Sequence, residues 1–327
     1  MEYRRLGHSG LKISALSLGS WVTFGRQLDV AKAQACMEAA FDAGINFFDN
    51  AETYASGESE RVMGEVLKRV SWPRDAYCVS SKVFFGAPSE PRPTQRGLSR
   101  KHVVEACHQA LSRLGVDYLD LYFCHRPDPE TPVEETVRAM HDLIQQGKVL
   151  YWGTSEWSAQ QIMEAYAVAR QYGLTPPTME QPEYNMFHRE RVEHEFARLY
   201  SEIGLGTTVW SPLASGVLTG KYNDGVPERS RLNLPGYEWL RTRYESEEGR
   251  ARLAKARELT RVARDQGLEM AQMALAWCLR NPNVSSVILG VSGVEQLASN
   301  LEALDAVARL TPDVMERIEA ILDDQPV

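Results

Sequence analysis

Eight short apolar runs, each closed by a small or polar residue, constrain what this chain can fold into more than any other feature of it. They are A-L-S-L-G closing at Gly19, I-N-F-F-D at Asp49, Y-C-V-S-S-K at Lys82, Y-L-D-L-Y-F-C-H at His125, V-L-Y-W-G-T-S at Ser155, T-M-E-Q at Gln181, G-T-T-V-W-S at Ser211 and S-V-I-L-G at Gly290. Runs of ~5–7 residues with this make-up are of strand length. Helical patterns lie between them over 30–43, 59–70, 100–114, 133–146, 159–172 and 189–203. Asp29, Ser99 and Ser158 stand where helix N-caps belong, and Gly44, Gly115, Gly147, Gly173 and Gly204 follow the helix ends. A strand, a helix and a glycine stop, repeated this often, describe successive βα units, and they predict an α/β fold of the (β/α)8 TIM-barrel kind. A doubly wound sheet would show fewer strands and a G-x-G-x-x-G first turn, which is absent.

The step from Ser211 to Gly290 is too long for one βα unit. It holds a loop with Gly and Pro over 221–236, a charged helix over 248–266 and a second helix near 270–279, and another helix over 312–322 follows Thr311. A small hairpin is expected from residues 3–6 and 11–13, and the Pro-rich stretch 87–97 reads as a loop on the active face. No linker or low-complexity tract divides the chain. Residues 1–327 therefore read as a single barrel domain with extra C-terminal helices and long active-face loops.

Charge and cysteine usage exclude several functions. With 36 Lys and Arg against 44 Asp and Glu the net charge is −8, so nothing draws the chain as a whole to nucleic acid or to an anionic membrane. No basic segment with an apolar core opens the chain, and no window reaches the ~18 apolar residues of a membrane span. Cys36, Cys78, Cys107, Cys124 and Cys278 are scattered and lack C-x-x-C spacing, which reads as reduced thiols in a cytoplasmic protein, with no metal ligand set.

In such a barrel the inner layers are apolar and chemistry is built where the strands end. Asp49, Lys82, His125, Ser155, Glu180 with Gln181, and Ser211 all end apolar runs, and Tyr54 lies just past Asp49 in D-N-A-E-T-Y. Each polar group so placed costs desolvation, so their accumulation at one rim argues for a site. A lysine ammonium favours phenolate over phenol, so Lys82 is expected to lower the Tyr54 pKa from ~10, with the Asp49 carboxylate keeping that ammonium charged and oriented. Tyr54 would then protonate a carbonyl oxygen as hydride reaches the carbon, while His125 donates a hydrogen bond to the same oxygen. Trp21, Phe84, Phe85 and Trp157 fall on the expected active-face loops and predict an aromatic wall suited to apolar or aryl carbonyls.

With these residues the chain resembles the aldo-keto reductase superfamily, in particular the branch of the cytoplasmic β subunits of voltage-gated potassium channels and their bacterial homologues. The resemblance runs from L-G-H-S-G-L-K-I-S at Leu6 to the C-terminal helix. It is carried by G-I-N-F-F-D-N-A-E-T-Y, G-L-S-R-K-H, R-P-D-P-E-T-P-V-E-E-T, Y-W-G-T-S, E-Q-P-E-Y-N, W-S-P-L-A-S-G and A-W-C-L-R-N, in that order. It implies that Tyr54 is the proton donor, Asp49 and Lys82 its tuning pair and His125 the orienting residue. It also implies NADP(H) bound across the rim, with Asp49 beside it, its amide on Ser155 and Gln181 and its ring on Trp210. The pyrophosphate would lie under Ser211, Pro212, Leu213, Ala214, Ser215 and Gly216 with Lys221, the 2′-phosphate by Arg231, and the adenosine end by Gly290, Ser292, Gln296 and Asn300. Ser20, Trp21 and Gln27 match first-loop positions facing cofactor or substrate. Lys221 and Arg231 supply local positive charge, and the backbone amides at 292–294, ahead of a helix, form an anion-binding terminus.

The function implied is NADPH-dependent reduction of small-molecule aldehydes or ketones to alcohols. The rival is a cofactor-binding redox sensor or channel-regulatory subunit with weak catalysis; phosphate or sugar chemistry without nicotinamide would require the Tyr54 and Lys82 placement to be accidental. The resemblance further implies a homo-oligomer, a tetramer in the channel subunits. Those subunits carry asparagine at the place of His125, arginine at that of Glu156 and glutamate at that of Ser299. The histidine is that of the catalytically competent reductases, whereas the other two departures predict a looser grip on the cofactor.

Overall fold

The computed structural model describes residues 1–323 apart from 26, 229, 234 and 235. In chain order the strands are β1 (Tyr3–Arg5), β2 (Lys12–Ser14), β3 (Leu16–Gly19), β4 (Phe47–Asp49), β5 (Cys78–Val83), β6 (Leu119–Cys124), β7 (Val149–Thr154), β8 (Met179–Glu180), β9 (Gly206–Val209) and β10 (Val284–Leu289). The helices are α1 (Val30–Asp42), α2 (Glu58–Arg69), α3 (Arg100–Leu114), α4 (Val133–Gln145), α5 (Ala159–Tyr172), α6 (Ala197–Glu202), α7 (Glu238–Glu245), α8 (Glu247–Asp265), α9 (Met270–Arg280), α10 (Val294–Leu301), α11 (Ala303–Ala306) and α12 (Pro312–Leu322). Strands β3 to β10 close into a parallel barrel in sequence order, with β10 pairing β3. The predicted (β/α)8 architecture is the one observed.

Contacts divide the chain into two compact units. The first comprises 1–182, 195–210 and 283–297 and contains the whole barrel; the second comprises 183–194, 211–282 and 298–327. Every residue of β5, β6 and β10 is buried, as parallel strands covered on both faces must be. The hairpin of β1 and β2 sends Leu6 and Ile13 into a cluster with Phe47, Cys78, Leu121, Phe123 and Met179, which fills the N-terminal part of the barrel. Strand β8 is only two residues long, and the Met179 carbonyl lies where a side chain at Gly153 of β7 would be, so glycine is what permits their approach.

Helix ends follow the local chemistry read from the sequence. The Asp29 side chain accepts from the Lys32 amide, Ser99 caps α3 and Ser158 forms a capping box with Gln161. The helix expected over 189–203 is not continuous: Arg191–Glu195 is wound as a π-helix before α6 begins. The wider winding coincides with carboxylates two residues apart that are held by different partners. Glu193 accepts from Tyr184 and Arg189, whereas Glu195 accepts from the Ala159 amide that opens α5.

In the second unit α12 packs on α8 and α11 on α9. Arg189 bonds both Glu193 and Glu319 and lies over the Trp277 ring at 5.2 Å. The expected loop over 221–236 contains a short 3-10 turn at Arg231–Asn233, while residues 229, 234 and 235 of that loop lie outside the described ones. No helix among the described residues is long and apolar enough to cross a membrane.

Candidate active site

Period-two alternation along the strands places the polar side chains. On β5, Cys78 belongs to the apolar cluster, and Ser80 and Lys82 follow on the same face. Lys82 is fully buried and uses each of its three N–H donors: to Asp49 Oδ2 at 2.6 Å, to the Asn50 carbonyl at 2.8 Å and to Tyr54 Oη at 3.2 Å. An ammonium has no acceptor, so the Tyr54 oxygen accepts here, and its own hydrogen is left to be given elsewhere. Asp49 is held from its other side, where Oδ1 accepts from Ser80 Oγ at 2.8 Å and Gln181 Nε2 at 3.1 Å.

The electrostatics correct one expectation. Tyr54 is not lowered by Lys82: burial, and secondarily Asp49, push its pKa well above 10, with Arg126 opposing. Because Asp49 lies directly on the ammonium, the pair has little net field with which to offset the desolvation of a phenolate. Tyr54 is therefore held as the phenol, the form a proton donor needs. Burial likewise lowers Lys82, with Asp49 restoring part of the effect. His125 falls well below the ordinary histidine value through burial and the Lys82 and Arg126 charges, so it is a neutral imidazole.

His125 and Tyr54 stand edge to face at 5.9 Å between ring centroids, and the buried His125 Nδ1 has no hydrogen-bond partner. Around them lie Phe85, 5.2 Å from His125, and Trp21, 6.4 Å from Tyr54 and 6.1 Å from Trp210. Phe84 is half-buried against Phe85. Trp157 does not belong to this open wall: it is 2% exposed, beneath the surface beside Glu180.

The first unit thus brings together Ser20, Trp21, Asp49, Tyr54, Lys82, His125, Ser155, Gln181 and Trp210. Ser20 donates to the Asp49 carbonyl at 2.9 Å, and Ser155 to the Gln181 carbonyl at 2.8 Å. Gln27 is exposed and apart from this network. Gly290 directly follows β10, and Ser292 and Gln296 flank the start of α10. The anion-binding terminus expected there is partly closed, because the Ser292 amide and hydroxyl both donate to Gln296 Oε1.

In the second unit Ser211, Ala214 and Ser215 all have left-handed φ, near +58°, +46° and +57°, and Gly216 reaches +97°. Pro212 and Leu213 lie within this turn. A side chain at Gly216 would come within 3.0 Å of Lys221 Nζ. The protein packed round that ammonium, and then the Arg231 charge, pull Lys221 below the ordinary lysine value. A glycine hollow beside two cations that disfavour each other fits a phosphate anion. Asn300 is buried with its side-chain nitrogen unpartnered.

At the two departures the side chains are engaged within the protein. Glu156, at φ 62°, accepts from the Trp210 indole at 3.0 Å, and Ser299 Oγ donates to the Glu269 carboxylate at 3.3 Å. Sequence reasoning missed Ser80, Thr208 and Glu52. Ser80 was visible as the residue two before Lys82 on one strand, whereas the Thr208 contact with Gln181 depends on strand register.

Residues 15–323 match the profile of the Aldo/keto reductase family. The chain is 52% identical over 327 residues to a protein of Oryza sativa subsp. japonica described as a probable voltage-gated potassium channel subunit beta, covering 100% of this chain and 98% of that one. A protein of Arabidopsis thaliana with the same description is 50% identical over the same 327 residues and the same shares.

Proposed function

The chain belongs to the aldo/keto reductase family, and from that premise we propose that it is an NADP(H)-binding protein of the channel β-subunit type whose barrel retains the chemistry of carbonyl reduction. End-to-end similarity to two probable channel subunits supports the regulatory part of this reading. The catalytic part rests on one observation: Lys82 donates to Tyr54 Oη and thereby leaves the phenol proton free.

When bound, NADPH would supply a hydride to the carbonyl carbon and be oxidised to NADP+. Tyr54 gives its proton to the oxygen, and Lys82, fixed by Asp49 and Asn50, holds the Tyr54 oxygen through one N–H so that the phenol hydrogen is directed to the substrate. Neutral His125 presents a ring N–H to the same substrate oxygen and orients it. Trp21, Phe85 and Trp210 exclude water and favour apolar or aryl carbonyls. Ser155 and Gln181 would hold the nicotinamide end, with Lys221 and Arg231 serving the phosphates.

NADPH oxidation across an aldehyde and ketone panel, with Tyr54→Phe as control, tests the chemistry. The variant is expected to lose turnover by ~10²-fold or more while cofactor affinity stays within a few-fold, because the proton is needed chiefly in the transition state. Near-parental turnover in Tyr54→Phe would overturn the assignment. Cofactor-dependent binding of the same protein to a channel cytoplasmic domain, with negligible turnover on the panel, would leave only the regulatory part.

A further inference from the structure

Glu52 is 2% exposed, lies two residues before Tyr54, and its backbone amide donates to the Lys82 carbonyl at 3.2 Å. Its Oε1 accepts from the Phe84 amide at 2.8 Å and the Gly86 amide at 2.9 Å, and its Oε2 faces His102 Nε2 at 3.4 Å. His102, on α3, places Nδ1 2.8 Å from the Gly97 carbonyl, and the Gly97 amide donates back to the Phe84 carbonyl at 2.7 Å. Both ends of the Pro-rich 87–97 loop are thus tied to one buried carboxylate and imidazole. Phe85 sits between the two amides that Glu52 holds.

The proton inventory of this contact is fixed by its acceptors. A carbonyl only accepts, so Nδ1 carries a hydrogen toward Gly97. That leaves Nε2 facing Glu52 Oε2 at 3.4 Å, where a proton on the ring would meet a buried carboxyl oxygen. Burial alone would lower His102, but Glu52, the Gly97 carbonyl and Glu105 raise it above the usual histidine value. The other nearby carboxylate on this turn, Asp128, is held by the Leu98 amide and Thr131.

We propose that Glu52 and His102 are positioning residues that set carbonyl selectivity, by fixing the turn that holds the Phe85 ring 5.2 Å from His125. The inference rests on the carbonyl-reduction reading and adds the determinant of which carbonyls fit. A ring held in place favours flat aryl aldehydes over short aliphatic ones, because its ordering cost is met on folding and not on binding.

The test compares KM and kcat for 4-nitrobenzaldehyde and propanal with NADPH in the unmodified protein, His102→Asn and Phe85→Ala. His102→Asn is expected to raise the aryl KM about 10-fold against the propanal KM, with kcat for propanal within about 3-fold and NADPH affinity unchanged. Phe85→Ala should reproduce the shift in KM ratio without touching the brace. In the unmodified protein the aryl preference should weaken as pH rises through the raised His102 value, and in Phe85→Ala it should not. An unchanged KM ratio in His102→Asn, or a flat profile in the unmodified protein, overturns the proposal. Should His102→Asn fail to fold, Phe85→Ala and the pH profile decide. If the unmodified protein reduces neither aldehyde, the reduction reading fails by itself. The brace is then judged by fluorine NMR of protein labelled with fluorophenylalanine: an assigned Phe85 signal as narrow in His102→Asn as in the parent would refute it.

Discussion

The N-terminal and C-terminal halves of the barrel are made from the same strands, two residues apart. Phe47 gives way to Asp49 along β4, Cys78 to Ser80 and Lys82 along β5, Leu121 and Phe123 to His125 beyond β6, and Met179 to Gln181 beyond β8. One half is a sealed apolar cluster; the other buries an ion pair and an imidazole beside a half-buried phenol. Ion pairs in such places rarely add net stability, because desolvation consumes much of the attraction. The lower half therefore supplies the cohesion that allows the upper half to be organised for proton transfer, and the two should respond to mutation in different observables.

The largest effect expected is on folding. Leu121→Ala, in the apolar half, should destabilise the protein by about 2–5 kcal/mol in urea denaturation while the molecules that remain folded turn over within a few-fold of the parental rate. A matching loss of kcat at full occupancy of the folded state would show that the halves are not separable. Next is His125→Asn in the polar half, expected to lower kcat/KM by ~10–10³-fold with little change in the urea midpoint, since an amide is the weaker donor to a developing alkoxide. The hydride step itself, followed before steady state, is the proper readout, because slow cofactor release can hide a chemical defect.

The smallest effect is in pH dependence, where two buried histidines oppose each other. His125 is lowered on folding, so below the unfolded value of ~6.5 the unfolded chain binds a proton that the native one refuses, and stability falls with pH in that window. His102 is raised, so its contribution is fully present below ~6.5 and is lost as pH climbs through its folded value. Denaturation midpoints from pH 5 to 8 should show His125→Asn gaining on the parent toward acid and His102→Asn losing. Each group changes the slope by at most about 1.4 kcal/mol per pH unit. Parallel curves for all three proteins would mean that neither ring is perturbed.

Much of this was legible in the chain itself. Apolar runs ending in polar residues located the rim because the charged and amide groups of the site sit at or just past the strand ends, while the polar residues inside the strands are mainly small hydroxyls. Asp49 ends β4 itself, whereas His125, Ser155, Gln181 and Gly290 lie one residue past their strands and Ser211 two past. What was not legible depends on burial and on partners distant in sequence. The direction of the Tyr54 shift needed the depth of the site, and the inward turn of Trp157 needed its neighbours. The π-winding of 191–195 coincides with hydrogen bonds to Glu193 from Tyr184 and Arg189 and to Glu195 from the Ala159 amide, which periodicity does not contain. The cap that Gln296 places on Ser292 replaced a generic helix-terminus argument with a specific side chain.

The brevity of β8 has a consequence for the site. Its Met179 and Glu180 pair with only Gly153 and Thr154 on one side and Gly206 and Thr207 on the other. Gln181, the next residue, carries one of the hydrogen bonds that restrain Asp49. The register of the shortest strand of the barrel thus reaches, through one amide group, the carboxylate that fixes Lys82.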